Sequence, residues 1–402
     1  MESGSKVHLP SLGMLIISGG GALISLTSAA GLILAGLITW LGSNIEESGA
    51  HLLLSFGWAS ALQFLLLLPA TVFAILRLID VSFPVWNSRK AYGFSVAGLV
   101  LVPITIAIGS RLTQEPRLAE LILPVLQLFV IGLPLVWLLA MGTRGFPAGT
   151  SQRGWNLFSF SSVISIPIIL VVEMIFILGL VAAGFAWLGF FLPDLLQQMG
   201  HTIERLVNVQ SDIESIIRIL RPYLNQPLVL AGGLALTAGI IPIMEELLKP
   251  MALWFFAGRP LSPREGFTGG LICGASFALL ESLGAMANPT METWPLIAIG
   301  RIGTGILHMG TTALVGWGLG KAWSEEKYGS LAGAFIAAVG FHSVWNIFGL
   351  MTGLSEISEM LNIQSEIVRR MITISPFVLI LLSGLLISII HRGNLVLRLK
   401  EK

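Results

Sequence analysis

Residues 241–249 read Ile-Pro-Ile-Met-Glu-Glu-Leu-Leu-Lys, inside an apolar run from Leu230 to Ala257. Three charged groups in a stretch long enough to cross a bilayer govern how the rest of the chain is read. An ionisable side chain at the bilayer centre costs roughly 2.5–3.5 kcal/mol on insertion scales, so an intramembrane group of them marks a functional site by default. The surrounding chain has the same apolar character: 54% of its residues are hydrophobic, 11% are charged and the mean hydropathy is +0.86. Soluble domains are about one-quarter charged. The fold class is therefore all-α, a polytopic membrane helix bundle.

Runs of about 20 apolar residues cross the hydrocarbon as helices, and ten are legible: Leu12–Leu41, Ala50–Leu76, Ala91–Ser110, Leu118–Met141, Phe160–Leu192, Leu230–Ala257, Phe267–Ala287, Leu296–Gly320, Gly329–Leu350 and Thr373–Ile390. The first run is too long for a secretory signal and is read as an uncleaved span. A net charge of +1 gives no basis for a nucleic-acid partner, and Cys273, the single cysteine, excludes an intrachain disulfide.

Short cytoplasmic loops collect Lys and Arg. Basic residues occur at Arg77, Arg89 and Lys90, then at Arg144 and Arg153, at Arg259 and Arg264, at Lys321 and Lys327, and in a tail with Arg392, Arg398, Lys400 and Lys402. This alternation predicts that both termini are cytoplasmic. Arg111 and Arg117, on the predicted outer side, break it.

Between Pro193 and Pro222, Met199, Ile203, Leu206, Val209, Ile213, Ile216, Ile217 and Leu220 recur at helical steps among charged residues, which predicts an extracytoplasmic amphipathic helix over 194–226. A weaker one runs from Leu354 to Met371. Such helices rest on headgroups or on each other, or form a cap or a homodimer contact. The predicted organisation is accessory spans in 1–155, a flanking span in 156–193, the amphipathic segment in 194–226, a core in 227–350, and a last span with its basic tail in 351–402.

The polar constellation comes from four consecutive spans. Glu245 and Lys249 are four residues apart and Glu246 and Lys249 three, so the lysine can hold one carboxylate ionised while the other acts. Glu281 ends Phe277-Ala-Leu-Leu-Glu281, His308 lies on the next span, and His342-Ser-Val-Trp-Asn346 places two polar groups one turn apart. At 1.5 Å of rise per residue, Glu245, Glu281, His308 and His342 all fall at a depth of about 18–23 Å, in one middle slab. Gly270 with Gly274, and Gly316 with Gly320, permit close helix approach. Pro242 and Pro250 should bend the glutamate helix and free carbonyls that then need partners.

Hydrolysis suits this set. Peptide cleavage needs a base for water, an acid for the leaving amine and donors for the developing oxyanion. Glu245 or Glu246 supplies the base, His308 helps to hold the water, and His342 and Asn346 donate to the tetrahedral intermediate. A second version stays open, with zinc or another divalent metal held by His308, His342, Glu281 and Glu245. An amide is a poor zinc ligand and a good oxyanion donor, so Asn346 favours the metal-free version.

Glu245-Glu-Leu-Leu-Lys249 matches E-E-x-x-K, Phe277-Ala-Leu-Leu-Glu281 matches F-x-x-x-E, His308 precedes a glycine-rich half span, and His342 to Asn346 is similar to H-x-x-x-D with Asn for Asp. In that order the patterns resemble the PrsW family of intramembrane proteases, itself similar to the CAAX prenyl endopeptidases, over about Leu230 to Leu350. The resemblance implies an endopeptidase of a prokaryotic plasma membrane that cuts single-pass membrane proteins such as anti-sigma factors. It carries Glu245, Glu246, Glu281, His308 and His342 over as the essential set. The H-x-x-x-N form is closer to the prenyl endopeptidases, which keeps a CAAX-type activity as an alternative.

Glu173 and Arg301 have no slot in these motifs; they either pair with each other, or Arg301 snorkels outward. A proton-coupled transporter would use the same residue types but should show internal repeats, and none is evident. A non-enzymatic scaffold would have lost glutamates, and here every slot is filled.

Overall fold

The computed structural model describes residues 8–42, 49–81, 88–145, 150–208, 213–224, 226–257, 259–286, 293–361 and 365–399. In chain order the helices are α1 (Leu9–Gly42), α2 (Ala50–Leu78), α3 (Ser88–Leu99), α4 (Leu101–Leu112), α5 (Pro116–Gly142), α6 (Ser151–Phe160), α7 (Ile166–Phe191), α8 (Pro193–Val207) and α9 (Ile213–Leu224). They continue with α10 (Pro227–Ala235), α11 (Ile241–Leu248), α12 (Met251–Trp254), α13 (Pro263–Ala285), α14 (Trp294–Glu325), α15 (Tyr328–Leu361) and α16 (Glu366–Leu399). No strand occurs among the described residues.

Nine helical stretches among the described residues are long and apolar enough to cross a membrane, and they coincide with nine of the ten expected spans. The exception is α14. It has the length, 32 residues, but its sequence is diluted by glycine, threonine, Arg301, His308 and Lys321. A helix surrounded by protein has no lipid to satisfy, and α14 is buried along most of its length. The expected amphipathic helix of 194–226 falls into two, α8 and α9, with 209–212 outside the described residues. The weaker amphipathic stretch is not separate either: α15 continues to Leu361 and α16 starts at Glu366.

The chain divides into two compact units. The first comprises residues 1–167, 246–338 and 383–402. Its centre is the α13–α14 pair. A Cβ on Gly270 would collide with the Thr312 carbonyl, one on Gly274 would lie 2.5 Å from the His308 carbonyl, and Gly266 and Gly316 face each other's carbonyls equally closely. Only glycine allows this backbone contact, so the expected small-residue ridge is real. A capping box of Ser262 and Glu265 starts α13, and at its other end Gln127 Nε2 of α5 donates to the Met286 carbonyl at 2.7 Å. Leu157, Leu253, Leu261, Ile272, Cys273 and Leu319 pack around the pair.

The second unit comprises residues 168–245 and 339–382. From Leu170 to Phe191, α7 exposes apolar side chains on every face, including Ile175, Leu178 and Phe190, as a lipid-facing helix does. Between α10 and α11, residues Leu236–Ile240 form a π-helical turn in which the Ile241 N–H reaches the Leu236 carbonyl. The next bond in that register would use the N–H of residue 242, and Pro242 has none. The Thr237 carbonyl is thereby left over, and Asn346 Nδ2 of α15 donates to it at 2.8 Å.

Candidate active site

Each unit holds a polar group. In the first, Lys249 stands just beyond the last residue of α11, where Pro250 ends the helix. Its Nζ donates to Glu246 Oε1 at 2.9 Å and to His308 Nδ1 at 2.8 Å. The Thr311 hydroxyl, one turn after His308, lies 3.1 Å from the same Glu246 oxygen. On its other side His308 Nε2 is 2.7 Å from Glu281 Oε2, and Arg301 Nη2 is 2.8 Å from that oxygen. Arg301 Nε also donates to Ser282 Oγ at 3.2 Å.

An ammonium donates and never accepts, so His308 Nδ1 must be the acceptor and the ring proton sits on Nε2, pointing at Glu281. The cluster then balances: Glu246 against Lys249, Glu281 against Arg301, with a neutral imidazole bridging the two ion pairs. Glu246, Lys249 and His308 are all essentially inaccessible to solvent. Buried charges are tolerated when paired and hydrogen-bonded in this way. Phe277 completes the arrangement; Lys249 Nζ sits 4.5 Å from its ring centre, and its ring meets the His308 ring edge-on at 4.9 Å. The aromatic position of the F-x-x-x-E pattern thus packs against both the cation and the imidazole.

In the second unit Glu245 Oε2 lies 3.9 Å from His342 Nε2, both side chains largely buried. Asn346, one turn beyond His342, spends an amide hydrogen on the Thr237 carbonyl. The two glutamates, equivalent in the sequence, are therefore in different company: Glu246 is held by Lys249, and Glu245 faces a histidine.

Residues 167–380 match the family model described as PrsW family intramembrane metalloprotease. The chain belongs to the PrsW family. It is an integral membrane protein and an intramembrane protease. The match extends beyond the expected Leu230–Leu350 and takes in most of α7, the amphipathic α8 and α9, and the first part of α16. No curated protein and no solved structure matches the chain.

The PrsW description implies a metal, and the donor chemistry can be weighed against it. Tetrahedral zinc holds its ligand atoms about 3.3–3.6 Å apart. The 3.9 Å between Glu245 and His342 is close to that spacing, and carboxylate with imidazole is a suitable pair. Those two fit a divalent ion. Glu281 fits poorly, because the oxygen that faces His308 is also taken by Arg301. His308 becomes a donor only by exchanging its contact with Lys249 or with Glu281.

Arg301, Ser282 and Thr311 have no place in the sequence motifs. For Arg301 a signal existed: it is two helical turns before His308 on the same face. Its contact is Glu281, so it does not snorkel to water.

Proposed function

We propose that the protein hydrolyses a peptide bond of a single-pass membrane protein, with Glu245 as the base that activates water. The observation that carries this is the separation of the two glutamates: Glu246 Oε1 is engaged by Lys249 and Thr311, whereas Glu245 stands opposite His342. A carboxylate locked in an ion pair is a poor proton acceptor. One facing an imidazole can take a proton from water and return it to the leaving amine.

His342 donates to the developing oxyanion. Asn346 supports the bend that carries Glu245 and gives up its expected oxyanion role for that task. Glu246 and Lys249 keep the charge balanced beside His308.

In the metal version Glu245 and His342 would instead hold a divalent ion such as zinc. The chemistry such an ion would supply is Lewis-acid polarisation of the scissile carbonyl and acidification of water. Both termini lie in the cytoplasm of a prokaryotic cell in this proposal, as the basic loops suggest.

The test is reconstitution with a tagged single-pass substrate. Glu245→Gln and His342→Ala should each reduce cleavage by about 10²–10⁴-fold. Cleavage undiminished in both variants, or absent for wild type across a membrane-wide substrate screen, sinks the proposal.

A further inference from the structure

We propose that Arg301 is a positioning residue for the reaction, holding Glu281 so that the His308 ring keeps one tautomer and one orientation. The inference rests on the proposed proteolytic role of this site. Three contacts carry it. Arg301 Nη2 lies 2.8 Å from Glu281 Oε2, Arg301 Nε donates to Ser282 Oγ at 3.2 Å, and the shared Glu281 oxygen receives His308 Nε2 at 2.7 Å.

The geometry is directional. Glu281 and Ser282 are consecutive residues near the end of α13, and the guanidinium grips both from α14. The Nε hydrogen bond fixes the guanidinium plane on Ser282, and the ion pair at Nη2 then sets where the Glu281 carboxylate stands. A lysine, with a single point charge on a flexible stem, cannot hold both. Glu281 in turn accepts a hydrogen bond from His308 Nε2–H, and the tautomer of an imidazole is set by the hydrogen bond that its other nitrogen makes. Nδ1 then accepts from Lys249, whose Nζ lies 2.8 Å away. Without Arg301 the carboxylate would carry an uncompensated charge and could turn toward His308 or Lys249 alone. The same oxygen serves both partners, so Arg301 acts through Glu281 and needs no contact with substrate.

The test uses full-length protein in detergent or liposomes, with Arg301→Gln, Arg301→Lys, Glu281→Gln and the double variant Arg301→Gln/Glu281→Gln. Two readouts are taken: steady-state cleavage of the tagged substrate, and 15N NMR of the histidine side chains, with His308 assigned by its loss in His308→Ala. Arg301→Gln is expected to lower kcat about 10–100-fold with KM changed less than about twofold, the pattern of a group that does not bind substrate. Arg301→Lys should recover little of this. The double variant should fall no further than the worse single one.

In the spectra, wild type should show His308 protonated at Nε2 alone, and Arg301→Gln a mixture of tautomers. Losses that multiply in the double variant, a rise in KM alone, or an unchanged tautomer overturns the proposal. If Arg301→Gln does not fold, Arg301→Lys carries both readouts. If wild type cleaves nothing, the proteolytic role fails, and the tautomer measurement still decides whether Arg301 positions His308.

Discussion

Lys249 Nζ lies 2.8 Å from His308 Nδ1, and this contact assigns the proton on the imidazole. The same ammonium holds Glu246, so one buried lysine ties a carboxylate and an imidazole together.

Removing that lysine should leave Glu246 buried and charged. Lys249→Met is expected to cost about 3–5 kcal/mol, the usual penalty for breaking a buried pair from one side. Replacing both partners, Glu246→Leu with Lys249→Met, should recover most of the stability while activity stays lost. Thermal unfolding in detergent measures both. A single variant as stable as wild type would show that the pair contributes nothing.

The α13–α14 contact makes a sharper steric prediction. Gly274→Ala would put a Cβ 2.5 Å from the His308 carbonyl, a backbone atom that cannot swing aside. The expected cost is about 1–3 kcal/mol, with reduced cleavage because the His308 segment must shift. At Gly284, where a Cβ meets nothing within 4 Å, alanine should be neutral or stabilise by up to about 1 kcal/mol. Equal effects at the two positions would mean that the helices can part without loss.

The spans were legible because length and hydropathy suffice for helices that face lipid, and α14 was the instructive exception. Its composition is poor in the usual signal because protein surrounds it, and it was still counted as the apolar run Leu296–Gly320. Within a helix, spacing put Arg301 on the face of His308. Which carboxylate it meets depends on how α13 packs on α14, and a single sequence does not carry that. The inequality of Glu245 and Glu246 was hidden for the same reason. Pro242 announced a free carbonyl; its partner, Asn346, is 109 residues away in the chain and looked instead like an oxyanion donor.

That bond can be tested by restoring what the proline removed. Asn346→Leu leaves the Thr237 carbonyl without its amide donor and should cost about 1–3 kcal/mol. Pro242→Ala supplies an N–H in the register that Thr237 needs, so the cost of Asn346→Leu should shrink markedly in that background. Unfolding midpoints of the four proteins form a double-mutant cycle. If the asparagine costs the same with and without the proline, the carbonyl is satisfied in another way, and Asn346 returns as a candidate oxyanion donor.

Metal content divides the two chemistries most directly. With Glu245 and His342 as ligands, purified wild type should carry about one divalent ion per chain by elemental analysis. A strong chelator should remove it together with activity, and zinc should restore both. Glu245→Ala and His342→Ala should each lower the stoichiometry well below one even when folded. Arg301→Gln, which alters no proposed ligand of that pair, should retain the ion, so a loss of activity there cannot be laid to metal loss. Active wild type without metal would remove the ion from the mechanism and leave Glu245 as an unaided base. Metal retained in both Glu245→Ala and His342→Ala would place the ion elsewhere, and the 3.9 Å pair would then be a base and its donor.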